Sequence, residues 1–171
     1  MERIEFAPIM TLEEFVEIRD SLEGSLVLTS GGFDPIHPGH ISCIVDSKTH
    51  GDVLVVVVNG DWFLNNKKGR RFMSLETRCE IVCAQPGVDY VVAFEIEDDI
   101  TVNQALEAIK PDVFTKGGDR ADNTTIPEWE TCVANDIEVV TGVGDSKVHS
   151  SSNILEDWYY HRLHLFPETT A

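Results

Sequence analysis

Val53–Val58 is an unbroken apolar run, five valines and a leucine, set between Gly51-Asp52 and Asn59-Gly60. A strand with one wet face alternates polar and apolar residues. This run does not alternate, so as a strand it must be covered on both faces. Strands covered on both faces belong to parallel sheets, whose crossover connections lay helices above and below. The run therefore predicts an α/β fold.

The rest of the chain agrees with that constraint. Thr11 to Glu14 reads as a capping box that opens a helix, and Gly24 stops it. A strand is predicted at 25–30, then a turn and a helix at about 39–50. The 53–58 strand leads through Asn59-Gly60-Asp61 into a loop with a basic segment. A helix follows at about 74–85, with Ser74 as its cap and Pro86-Gly87 as its stop. Strand 88–94, helix 102–109, strand 112–115, helix 126–135 and strand 137–140 complete the alternation, and Ser150 begins a last helix. Residues 1–10 read as an irregular arm. The predicted architecture is a Rossmann-like open parallel sheet of five strands in the order 3-2-1-4-5, with helices on both faces. One domain is expected over residues 1–171, with 150–171 as a C-terminal helix and tail.

In such a sheet, ligands bind at the carboxyl ends of the strands, beside the point where the strand order reverses. The segment from Gly31 to His40 falls there, directly after the 25–30 strand. It contains Gly32, Phe33, Asp34, His37, Gly39 and His40. Helix N-termini offer unsatisfied N–H groups that favour anions, and two imidazoles beside one suit a phosphate. A Gly/Pro turn with surface histidines is the plain alternative.

The net charge of −17 argues against a nucleic-acid polymer as partner. Against it, Lys67, Lys68, Arg70, Arg71 and Arg78 place five of the 13 basic residues within twelve positions. An acidic chain with one basic segment suits a small polyanion. No apolar run approaches the roughly 20 residues of a membrane span, and the acidic N-terminus does not resemble a secretory signal. A cytoplasmic location is expected, with Cys43, Cys79, Cys83 and Cys132 as reduced thiols. Cys79 and Cys83 share a helix face, a spacing that suits core packing better than zinc. His161 and His164 are three apart in an aromatic tail, which suits packing or dimer contact better than a metal.

The spaced pattern Gly-x-Phe-Asp-x-x-His-x-Gly-His over residues 31–40 resembles the signature of nucleotidyltransferases of the cytidylyltransferase type. Further pieces resemble the same family in order. They are Lys48 in the following helix, Asp61, the Lys67-Lys68 region, Arg78 and the Val88-Asp89 strand start. Lys116, Gly117, Gly118 and Asp119 resemble the KGGD loop of one branch, and Ser150, Ser151 and Ser152 its serine-led helix start. A serine run serves equally as a helix cap, and Lys116 and Asp119 as ordinary loop residues. The KGGD loop and the Thr11–Glu14 helix look like the adenylyltransferase domain of ADP-heptose synthesis proteins, over about residues 10–157. Val148, His149, Ser151 and Ser152 depart from that branch, as does a shortened segment before Arg78.

The resemblance implies transfer of AMP from ATP to a phosphorylated small molecule, a sugar 1-phosphate first among them, with release of pyrophosphate. A CTP-dependent enzyme acting on glycerol 3-phosphate or another alcohol phosphate is the alternative. A nucleotide-binding protein without turnover is the third reading. His37, His40 and Lys48 are implied as catalytic, and Lys48 and Asp61 as acceptor-binding. Gly32, Phe33, Asp34, Gly39, Lys67, Lys68, Arg78, Lys116 to Asp119 and Ser150 to Ser152 are implied as nucleotide-binding, with both histidines. Asp34 has a second reading as a residue that shapes the turn. Mg²⁺ is expected to arrive bridging the phosphates, with few protein ligands. A homodimer is the family-based expectation.

Overall fold

A computed structural model describes residues 5–97, 99–118, 124–145 and 150–165. Strands β1 (Ile9–Met10), β2 (Leu26–Gly31), β3 (Val53–Asn59), β4 (Tyr90–Phe94), β5 (Val113–Gly117) and β6 (Glu138–Val143) form one sheet. Every pairing is parallel, and the order is β1-β4-β3-β2-β5-β6. The expected order 3-2-1-4-5 is thus present as β4-β3-β2-β5-β6. The sheet has six strands rather than five. The arm read as irregular supplies the extra one, pairing Ile9 with Val91 and Met10 with Val92. Two residues are too short a strand to show a period.

The helices are α1 (Leu12–Arg19), α2 (Pro38–Ser47), α3 (Asp61–Lys68), α4 (Leu75–Cys83), α5 (Asn103–Ile109), α6 (Trp129–Ala134) and α7 (Ser151–Leu165). A 3-10 turn, Lys48–His50, extends α2. The Thr11–Glu14 capping box forms with both of its hydrogen bonds, at 2.8 and 3.2 Å.

The valine run works as its pattern requires. Val55 and Val57 enter one core layer with Phe15 of α1, Leu106 of α5 and Cys132 of α6. Leu54, Val56 and Val58 enter the other with Ile44 of α2 and Val82 of α4. Successive side chains of a strand point to opposite faces, so continuous apolarity fills two cores at once.

The amino edge of the sheet is tied by aspartates that precede strands. Asp52 accepts from the Ser25 N–H at 2.8 Å, Asp89 from Leu54 at 2.7 Å and Asp112 from Leu26 at 2.7 Å. Each carboxylate satisfies a donor at the start of a neighbouring strand. The carboxyl edge is left to the loops that build the cavity. No helix among the described residues is long and apolar enough to cross a membrane.

Candidate active site

β2 ends at Gly31, and the chain reverses into α2 through Phe33, whose φ of 51° is unusual for a bulky residue. The Phe33 ring is buried beneath this turn. Gly31 leaves room for it, since a Cβ there would stand 3.0 Å from the Phe33 ring, and Gly32 leaves room for Leu64, which a Cβ would meet at 2.8 Å. Asp34, 1% exposed, accepts from the N–H groups of Phe72 and Met73 at 2.7 and 2.8 Å. Its carboxylate shapes the turn. Both oxygens are engaged by backbone, as the second reading of this residue expects.

His37 is the N-cap of α2 and Pro38 its first residue, a position that suits proline because its N–H would be unpaired. The His37 and His40 rings stack at 3.8 Å with 24° between planes. Phe33 meets the His40 ring edge-on at 5.2 Å. A Cβ on Gly39 would stand 3.2 Å from the His37 ring, so the glycine between the histidines keeps the stack possible.

Burial, then the charges of His37 and Lys68, push the His40 pKa from 6.5 down to about 3. His40 is therefore a neutral imidazole near pH 7, and its buried Nδ1 has no hydrogen-bond partner among the described residues. The unfolded chain takes up this proton near 6.5 while the folded chain refuses it until about 3. Between those values the His40 contribution to stability falls as pH falls. From about pH 7 to about pH 4, the urea midpoint of the wild type is expected to drop more steeply than that of His40→Gln. Parallel curves would remove this reading.

A cavity of about 550 Å³ opens over these rings. Gly32, Phe33, His37, Gly39 and His40 line it from the turn, Lys67 and Lys68 from α3, and Lys116, Gly117 and Gly118 from β5 and its end. Ser150, Ser151 and Ser152 line it at the start of α7. Ser151 Oγ donates to the Pro35 carbonyl at 2.9 Å, holding α7 to the histidine turn. Lys68 Nζ donates to the Asp34 carbonyl at 3.0 Å, and burial with the nearby Arg78 lowers its pKa against the pull of Asp34. Lys67 Nζ lies 5.0 Å from the Phe63 ring centroid. A Cβ on Gly117 would meet Cys43 Sγ at 2.8 Å and the Val143 carbonyl at 2.9 Å, so only glycine fits between β5 and α2 there.

Three residues expected at the site lie elsewhere. Lys48 sits past the far end of α2, about 15 Å along the helix from His37. Its Nζ pairs with Asp89 at 2.6 Å and donates to the Asp52 carbonyl, on the amino edge of the sheet. It does not line the cavity. The pair is about one-third exposed, so Lys48→Ala is expected to cost less than ~1 kcal/mol of stability and to leave kcat unchanged. A large fall in kcat would restore Lys48 to the site.

Arg78 is fully buried and donates to the carbonyls of Gly32, Asn59 and Met73 and to Asp61 Oδ1. Asp61 also pairs with Arg71 at 3.0 Å. Neither Arg78 nor Asp61 lines the cavity. Arg78 braces the ends of β2 and β3 from behind, and Asp61 is its counter-charge. Asp119 and His149 lie outside the described residues, as does the His164 side chain.

α3 goes beyond the sequence expectation and brings Lys67 and Lys68 to the cavity rather than leaving them on a loop. Asn59 and Glu128, both buried and both lining the cavity, are also unexpected from the sequence. Asn59 carried a readable signal, a polar residue closing an apolar strand. Glu128, within Ile126 to Trp129, carried none.

A cytidylyltransferase-like family profile matches residues 28–156, which spans the histidine turn, KGGD and the start of α7. The bifunctional protein HldE of Methylococcus capsulatus is 35% identical over 158 residues, 86% of this chain and 31% of its own length. HldE of Haemophilus ducreyi is 39% identical over 110 residues, 63% of this chain and 22% of its own. The chain spans less than a third of the length of these relatives. A lipopolysaccharide core biosynthesis protein from Thermoplasma volcanium superposes with a TM-score of 0.61 at 26% identity, over 72% of this chain and 99% of that one. A pantoate-beta-alanine ligase from Francisella tularensis shares the fold, with a TM-score of 0.63 at 16% identity over 87% of this chain and 73% of its own. With its histidine turn, its parallel sheet and more than half its length matched, the chain belongs to the cytidylyltransferase-like family of nucleotidyltransferases.

Proposed function

We propose that the protein transfers AMP from ATP to a phosphorylated sugar, releasing pyrophosphate. The observation that carries this reading is the stacked His37–His40 pair under a cavity that also holds Lys67, Lys68, Lys116 and the serine-led start of α7. Similarity to HldE over 86% of the chain supports ATP and a heptose-phosphate-like acceptor.

In this reaction an oxygen of the acceptor phosphate attacks the α-phosphorus, and the bond from that phosphorus to the bridging oxygen breaks. The electron pair leaves on pyrophosphate. The acceptor is already an anion, so no strong general base is needed, and the protein supplies position and charge stabilisation. His37 and His40 hold the α-phosphate oxygens. His40, kept neutral by burial, donates a hydrogen bond without adding a buried charge. Lys67 and Lys68 meet the phosphates on the β3 side. The hydroxyls of Ser150 to Ser152 and the N–H groups at the start of α7 meet them from above.

The described residues contain no cluster of three or more acidic, histidine or cysteine ligands for a metal. The Asp34 carboxylate is engaged by backbone. This donor set fits Mg²⁺ that arrives on the triphosphate and is held mainly by phosphate oxygens. When bound, it would neutralise charge on the leaving group. We place the enzyme in the cytoplasm, where ATP is available, and propose a homodimer. The exposed Trp158, Tyr159 and Tyr160 of α7, each about 60% accessible, support self-association. Light scattering showing only monomer at micromolar concentration would remove the dimer.

Pyrophosphate release, measured for ATP and CTP against a panel of sugar 1-phosphates and alcohol phosphates, tests the reaction. Release that requires both ATP and a sugar phosphate is expected. Release with CTP and an alcohol phosphate alone would overturn the choice of substrates.

A further inference from the structure

The cavity contains an ion pair whose chemistry suits one edge of a nucleobase. Glu128 is 4% exposed and Lys116 7%, and both line the cavity. Lys116 Nζ donates to Ser30 Oγ at 3.1 Å, lies 4.6 Å from the Phe114 ring centroid and stands 3.5 Å from Glu128 Oε2. Glu128 Oε2 accepts no hydrogen bond among the described residues. A buried carboxylate oxygen without a donor is costly, so a donor supplied by a ligand would be strongly favoured.

A carboxylate only accepts and an ammonium only donates. Side by side, they present an acceptor next to a donor. The complementary ligand edge is an amine next to an unprotonated ring nitrogen. Adenine and cytosine carry that edge. On the same Watson–Crick edge, guanine and uracil carry the reverse, a carbonyl next to a ring N–H.

The surroundings fit a base. Gly117 and Gly118 bring bare backbone to this end, where a Cβ on Gly118 would meet nothing within 4 Å, and Pro127 adds an apolar wall. Lys67 and Lys68 approach from α3, beyond β3, while the pair sits at β5 on the other side of the histidine turn.

We propose that Glu128 and Lys116 read the base of the bound nucleoside triphosphate, selecting an amino edge over an oxo edge. Glu128 accepts from the exocyclic amine, and Lys116 donates to the adjacent ring nitrogen. The proposal rests on the nucleotidyl-transfer reading and adds the rule for base selection. It separates ATP and CTP from GTP and UTP.

ATP and inosine triphosphate differ only at this edge, so they form the test pair. Wild-type kcat/KM is expected to favour ATP by on the order of tenfold or more. Glu128→Gln should bring the ratio toward one and raise use of inosine triphosphate, because a carboxamide donates as well as accepts. A purely structural ion pair would alter stability or overall rate and leave the ratio unmoved. Equal use of both nucleotides by the wild type overturns the proposal, as does an unchanged ratio in a folded Glu128→Gln protein. Should that variant not fold by circular dichroism, Glu128→Asp withdraws the acceptor by one methylene and should reduce ATP use more than inosine triphosphate use. An equal effect on both overturns the proposal. Calorimetric titration separates the two levels. No binding of any triphosphate defeats the nucleotidyl-transfer reading itself, whereas binding without discrimination defeats base reading alone.

Discussion

His40→Ala is expected to lower kcat for nucleotidyl transfer by on the order of 10²–10³, the usual cost of removing one fixed transition-state donor. The ring is fixed from two sides, by His37 stacked at 3.8 Å and by Phe33 edge-on at 5.2 Å. Little reorganisation is needed when charge develops on the α-phosphate, and that preorganisation is what the alanine removes. Because the imidazole is neutral in the free enzyme, with its pKa near 3, the loss concerns a hydrogen bond rather than a resident charge. Triphosphate binding should weaken less than kcat, since the lysines and the α7 start remain. Steady-state kinetics with urea midpoints matched to the wild type would check this, and an unaltered kcat would remove His40 from the chemistry.

Arg78→Ala is expected to destabilise the fold by about 3–5 kcal/mol, the cost of breaking a buried charge pair from one side. The variant would leave Asp61 without its closest partner and strip donors from the carbonyls of Gly32, Asn59 and Met73. Those carbonyls lie where β2 and β3 deliver the histidine turn and Asn59, so activity should fall with the fold. Arg78→Lys should recover little, because an ammonium cannot span the same acceptors. Urea denaturation at neutral pH measures the loss. A variant with full stability and a weakened affinity for pyrophosphate would return Arg78 to the cavity.

The sequence made the doubly covered strand and the histidine turn legible because both are local. The 53–58 run carries its own burial requirement, and residues 31–40 carry strand end, turn and helix start within ten positions. The elements that escaped are held by distant residues. The N-cap of α3 is Gly60, which has no side chain to cap it. Glu95 caps it instead, accepting from Asp61 and Trp62 at 2.5 and 2.9 Å. The one local sign was Gly69, left-handed at φ 79° after two lysines, the usual end of a helix.

The same distinction explains the misplaced charges. Lys48 and Arg78 occupy positions in the order the resemblance implies, but linear order does not say which edge of the sheet a helix end reaches. The length of α2 carries Lys48 to the amino edge, and α4 turns Arg78 inward. Glu128 became visible only when the fold brought it to Lys116.

In the proposed reaction the α-phosphorus moves to an acceptor phosphate while pyrophosphate leaves. ATP labelled with ³²P at the α-phosphate tests it most directly. With a sugar 1-phosphate present, label is expected in a nucleoside-diphosphate sugar, with unlabelled pyrophosphate in equal amount. Label recovered as free AMP or ADP, or left on ATP across the whole acceptor panel, would contradict it.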